Sequence, residues 1–170
     1  MNQSGKILIA GIGSAHGDDQ AGWLVAEQLA AGFQDCCNIT VRKAMIPLDL
    51  LDWLDGVDVL HVCDACETVE NRGRVDRYVW NDNRIVRSNP ELHPTVAHAW
   101  PSLRKRGSHD FGTSDVLGLA AELRSLPDRV VIWAVEGHRY QPGDQICAMT
   151  RIAAMQAASC IAGELRQSHA

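Results

Sequence analysis

Apolar residues gather along the chain in short blocks, and the spacing within each block tells which element it forms. Lys6 to Ala10 reads as a short buried strand, while Trp23, Leu24, Ala26, Leu29 and Ala30 return at the helical period. Between them the pattern breaks into glycines and acids, Gly11-Ile-Gly-Ser-Ala-His-Gly-Asp-Asp-Gln-Ala-Gly22, which makes this stretch a strand-to-helix turn. Asn38 to Arg42 is a second short strand, and Pro47 opens a brief helix over Leu48 to Leu54. Val57 to Cys63 is β-rich and ends in Asp64-Ala65-Cys66-Glu67, so a central strand carries an acid at its carboxyl end. Arg74 to Trp80 alternates polar and apolar residues, which predicts a half-exposed strand at a sheet edge.

From Asn81 to Ser108 the periodicity fades into a loop that holds Pro90, Pro94 and Pro101. Loops this long in compact domains usually carry function. Asp110 to Thr113 then leads into a helix over Ser114 to Leu126, and Arg129 to Val135, apolar throughout after its arginine, predicts a central parallel strand. A turn from Glu136 to Gln145 precedes a last helix over Met149 to Leu165. Strands alternating with helices predict an α/β sandwich around a mostly parallel sheet, organised as one domain over residues 1–170. No internal repeat or low-complexity segment is visible in the sequence.

Composition narrows the partners. The chain has 170 residues, 46% of them hydrophobic, which suffices for a full core, and a net charge of −5 gives no electrostatic footprint for nucleic acid. The lone basic cluster, Arg104 to Arg106, reads as a solvated loop or a docking patch. The N-terminus lacks the charged and apolar regions of a signal peptide, and no apolar run approaches the roughly 20 residues of a membrane span. The expected location is therefore cytoplasmic, with no membrane partner, and the six cysteines are expected as thiols. Cys63 and Cys66 form a C-x-x-C, but Cys36 and Cys37 are adjacent and offer no second zinc pair. Small buried hydrophobes are the commoner role for such cysteines.

The turn after the first strand raises a dinucleotide site, because a Gly-x-Gly there lets a pyrophosphate approach the backbone. Two features speak against it. The third glycine of that fingerprint falls at His16, and Asp18 and Asp19 stand where the phosphate charge would sit. The plainer reading has one aspartate capping the helix and the other solvated. In open α/β sheets ligands bind at the carboxyl ends of the strands. Asp18 and Asp19 follow the first strand, Asp64 follows the third, and His109 precedes the helix that feeds the Val131 strand. Two carboxylates and an imidazole at such an edge suit a divalent metal with open coordination positions. Acids stand at strand ends in any α/β protein, however, and a lone His109, like His93 and His98, is more often a capping or surface residue.

Taken together, Gly11-Ile-Gly13 with Asp18, Asp19 and Gly22, then Asp64-Ala65, His109-Asp-Phe-Gly-Thr-Ser-Asp-Val-Leu117 and Pro127 to Gly137 resemble, in order and spacing over nearly the whole chain, the hydrogenase maturation endopeptidases. The resemblance implies a three-layer, phosphorylase/hydrolase-like α/β sandwich. It implies a peptidase that trims the C-terminal extension from the large-subunit precursor of a nickel-iron hydrogenase after nickel insertion. Carried over by position, Asp19, Asp64 and His109 are the catalytic and metal-contacting residues. The implied metal is nickel, carried by the substrate, for which other divalent ions can substitute. The implied partner is the precursor, and a monomer is the favoured form. Metal-assisted hydrolysis is the implied chemistry, with Asp18 or Asp19 available to take the proton.

The chain also departs from the family. Ser14 to Gly17 replaces an Asn followed by a longer apolar loop, Gln20 replaces a frequent glycine, and Ile146 to Met149 replaces a Leu-Ser pattern. A second function class is therefore carried alongside the first, a non-catalytic binding module or chaperone for a metal-loaded partner.

Overall fold

The computed structural model describes residues 5–67, 73–88 and 112–168. Among these residues six strands form one sheet, and helices cover both faces. The strands are β1 (Ile7–Ile12), β2 (Ile39–Ala44), β3 (Val59–Glu67), β4 (Val75–Asn81), β5 (Arg84–Arg87) and β6 (Arg129–Gly137). The helices are α1 (Ala21–Gly32), α2 (Thr113–Glu122) and α3 (Ala148–Ser168), with 3-10 turns at Gly17–Gln20 and Pro47–Trp53. The order across the sheet is β2-β1-β3-β6-β4-β5. The first four strands of that order run parallel, and the β4-β5 hairpin is added antiparallel to β6.

Strands buried on both faces carry near-continuous apolar runs, and β1, β3 and β6 do so. Alternate residues divide between two cores. Ile7, Ile9, Cys63, Val131 and Trp133 face α1 and α3, meeting Val25, Leu29, Ala157 and Ile161. Leu8, Leu60, Val62 and Ile132 face the opposite layer, meeting Leu50, Val116, Leu117 and Ala120. The expected three-layer α/β sandwich with a mostly parallel sheet is the observed architecture. Among the described residues no helix is long and apolar enough to cross a membrane.

Four expectations need correction. Arg74 to Trp80 does form a strand, but β4 is no edge strand, because β5 pairs along its far side. Asp82 and Asn83 both take positive φ, 48° and 58°, the backbone of a two-residue hairpin turn matched to strand twist. The predicted loop at Asn81 thus begins as a hairpin, and most of the rest of that loop lies outside the described residues. The brief helix after Pro47 is 3-10 in form. β3 continues through Asp64 to Glu67, so the acid expected at the strand's carboxyl end lies within the strand.

Continuation of β3 also settles the C-x-x-C. Residues three apart in a strand point to opposite faces, and Cys63 packs in one core while Cys66 packs in the other. Burial pushes both thiols well above the ordinary range. They are buried free cysteines, as the sequence suggested.

α1 is seated unusually close to the sheet. A Cβ on Gly22 would lie 2.2 Å from the Ile12 carbonyl oxygen and 2.5 Å from that of Cys63. Only glycine lets the first turn of α1 rest on the backbones of β1 and β3 at this point.

Candidate functional site

The parallel strands bring their carboxyl ends to one edge of the sheet, and β1 lies beside β3 with Gly11 opposite Cys63. The chain leaves β1 through Gly13 and folds into the Gly17–Gln20 turn, which packs against β3. The turn carrying Asp19 therefore meets the strand carrying Asp64.

Asp19 is 4% exposed. Its carboxylate accepts a hydrogen bond from the Ser14 hydroxyl, and its carbonyl accepts one from the Ser14 N–H at 3.3 Å. Ser14 thus holds the acid by side chain and backbone together. Asp64 is 7% exposed, and its Oδ2 accepts from the Thr113 hydroxyl at 2.9 Å. Thr113 is the first residue of α2, whose N-terminal backbone is further tied by Gly112 N–H donating to Asp115 at 3.0 Å. Burial raises the Asp64 pKa to about 7, against the opposing pull of the Thr113 and Ala65 hydrogen bonds. A carboxyl so short of solvation is one that a cation alongside would draw back into its ionised form.

Asp18 behaves differently from its neighbour. It is fully buried, its Oδ2 accepts from the backbone N–H groups of His138 at 2.9 Å and Arg139 at 3.0 Å, and its Oδ1 accepts from Cys147 N–H at 2.8 Å. Burial by itself would raise its pKa, but the N–H bonds from His138, Cys147 and Arg139 outweigh it and hold the carboxyl below 3.8. Asp18 is therefore an ionised anchor that fastens the β1 turn to the loop between β6 and α3. This corrects two expectations. Neither acid is solvated, and Asp18 is not placed to take a proton from substrate. Gly17 takes φ 50°, and a Cβ there would lie 2.2 Å from the Arg139 carbonyl oxygen, so only glycine lets the turn pack on that loop.

Asp19 and Asp64 are thus buried on adjoining segments at the carboxyl edge of the sheet. The third predicted member, His109, lies outside the described residues, as do His93, His98 and Arg104 to Arg106. His16, at the start of the 3-10 turn, is exposed and makes no side-chain capping bond. Sequence reasoning missed the roles of Ser14 and Thr113, although Thr113 stood inside a quoted motif. A hydroxyl at the first position of a helix that starts beside a strand-end acid is the signal that could have found it.

No family model and no curated protein sequence matches the chain. Solved structures do match. The hydrogenase maturating endopeptidase HybD from E. coli aligns over 96% of this chain and 93% of its own, with a TM-score of 0.66 and 20% identity. A [NiFe] hydrogenase maturation protease HycI from Thermococcus kodakarensis aligns over 97% and 95%, with a TM-score of 0.63 and 17% identity. An endopeptidase from Escherichia coli solved in solution gives a TM-score of 0.69 at 17% identity, over 96% and 93%. Over nearly its whole length the chain has the fold of the hydrogenase maturation endopeptidases.

Proposed function

We propose that this chain is an endopeptidase that removes the C-terminal extension of a nickel-loaded hydrogenase large-subunit precursor, with Asp19, Asp64 and His109 meeting the nickel. One observation carries the reading. Two buried carboxylates, each steadied by a hydroxyl from Ser14 or Thr113, stand at the carboxyl edge of a sheet whose fold is shared with E. coli HybD over 96% of this chain. In that position an α/β sheet binds its ligand.

The nickel ion belongs to the precursor and is part of the substrate. When engaged it supplies Lewis-acid polarisation of the scissile carbonyl or of an attacking water. The chain's own contribution is positioning. Ser14 fixes the Asp19 carboxylate, Thr113 fixes that of Asp64, and the Asp18 anchor keeps the turn between them in one conformation. A preset ligand geometry of this kind makes recognition depend on the loaded metal, so a precursor that lacks nickel forfeits most of the affinity.

Calorimetry with nickel-loaded and nickel-free precursor tests this directly. The loaded form is expected to bind, with affinity reduced at least about tenfold in Asp64→Asn and in the nickel-free precursor. Equal binding of the two precursors would overturn metal-dependent recognition.

A further inference from the structure

The loop between β6 and α3 brings two further metal-ligating side chains to Asp18. Each of Asp18, His138 and Cys147 offers a ligand atom, and the three atoms lie within 4.8 Å of one another. We propose that Asp18, His138 and Cys147 form a site for a zinc-class divalent ion, separate from the Asp19, Asp64 and His109 set and supplied by this chain alone.

The donor chemistry fits a borderline ion, since a carboxylate oxygen, an imidazole nitrogen and a thiolate sulfur together match neither a purely hard nor a purely soft metal. Bonds of about 2.0–2.3 Å put neighbouring ligands of a tetrahedral ion roughly 3.3–3.8 Å apart. The His138 imidazole borders the Asp18 carboxylate, with Nδ1 3.6 Å from Oδ2. The 4.8 Å bound on the set leaves about an ångström to be closed, which a χ rotation of His138 or Cys147 supplies.

Each ligand has an independent structural support. Cys147 immediately precedes α3, and its carbonyl accepts the Arg151 N–H at 3.0 Å, which fixes the residue at the N-terminus of a 21-residue helix. His138 and Arg139 N–H groups take up both lone pairs of Asp18 Oδ2, and Cys147 N–H takes one of Oδ1, so Oδ1 is the oxygen left to coordinate when the single Thr150 hydroxyl proton goes to the Glu136 carbonyl at 3.1 Å. His138 is 40% exposed and opens the site to solvent, so a water can complete the coordination. The positive pole of α3 opposes a cation here, but two anionic donors, carboxylate and thiolate, cancel the charge of a divalent ion. Occupancy would staple the turn that bears Asp19 to the loop that begins α3.

The experiment is a cobalt titration of the purified full-length chain carrying Cys36→Ser and Cys37→Ser, which removes the two exposed adjacent thiols. One equivalent of cobalt is expected to give a thiolate-to-cobalt absorption in the near ultraviolet that zinc displaces. In the same background Cys147→Ser should abolish the band while circular dichroism stays native, because serine is a good helix N-cap. His138→Ala should weaken cobalt binding at least about tenfold, whereas Asp64→Asn should leave the band unchanged. Absence of a thiolate band in the parent protein, its survival in Cys147→Ser or unweakened binding in His138→Ala would overturn the site. Loss of the band in Asp64→Asn would place the ion with the other carboxylates instead.

Discussion

Asp18→Asn should destabilise the protein severely, although the change removes a single charge. The native carboxylate is fully buried and accepts three backbone N–H bonds of 2.8 to 3.0 Å, shared between both of its oxygens. Asparagine keeps one oxygen and presents an NH2 group in place of the other. If that NH2 replaces Oδ1, it faces the Cys147 N–H, donor against donor. The orphaned donor costs about 1–3 kcal/mol, and the two surviving bonds lose their charge assistance, about 1 kcal/mol each. The sum is about 3–5 kcal/mol, a large share of the roughly 5–15 kcal/mol that holds a domain folded. Urea unfolding followed by circular dichroism at pH 7, with chelator present to exclude bound metal, should show a lower midpoint at unchanged slope. A loss below about 1 kcal/mol would refute the anchor. The pH dependence supplies a second check. Because the folded pKa of Asp18 is lowered, its contribution is fully present above the unfolded value of 3.8 and is lost as pH falls through the folded one. The gap between wild type and Asp18→Asn should therefore be constant near neutrality and close only in strong acid.

Other parts of the fold give separate expectations. His61 is 2% exposed, its Nδ1 accepts from Trp133 Nε1 at 3.2 Å, and burial followed by the charges of Arg129 and Arg77 pushes its pKa down to about 3. As a depressed base it contributes stability that is intact above about pH 6.5 and drains as pH falls toward 3, at up to about 1.4 kcal/mol per unit. Denaturation curves between pH 6.5 and 4 should show that slope in the wild type and a flatter one in His61→Leu, and equal slopes would count against it. Gly22→Ala drives a Cβ into the Ile12 and Cys63 carbonyls and should cost at least about 3 kcal/mol. Gly163→Ala, within α3 and with nothing within 4 Å of the new Cβ, should instead stabilise by about 0.5–1 kcal/mol. Thermal melts that ranked these two variants the other way would show the close seating of α1 to be wrong.

What could be read in advance follows from how strongly each feature is written into local pattern. The buried parallel strands were legible because both of their faces are apolar, so Arg129 to Val135 and Val57 to Cys63 announce themselves without any tertiary knowledge. β5 was not, since Arg-Ile-Val-Arg is too short for its period to emerge and its Asp82-Asn83 turn lacks the glycine that usually marks a hairpin. The end of β3 was misplaced for a related reason. The apolar pattern stops at Cys63, whereas pairing with Ala134 on β6 keeps Asp64 in the sheet. The division of labour between Asp18 and Asp19 could not be seen at all. Adjacent acids are equivalent in sequence, and they are separated only by the loop from His138 to Cys147, more than a hundred residues away, which turns three N–H groups toward one of them. Ser14 and Thr113 were hidden in the same way, because their partners are fixed by packing and not by spacing.

If this chain is the proposed endopeptidase, the mass of a metal-loaded precursor after incubation with the purified protein reports the cut. The expected result is loss of a short C-terminal peptide from nickel-loaded hydrogenase large subunit, with little cleavage of the nickel-free form or of casein. Asp19→Asn, which still offers Ser14 an acceptor oxygen, should remain folded, with a melting temperature within about 2–4 °C of wild type, and leave the precursor intact. A nickel-loaded precursor that binds the wild-type protein yet keeps its full mass would contradict the peptidase and identify a binding module instead.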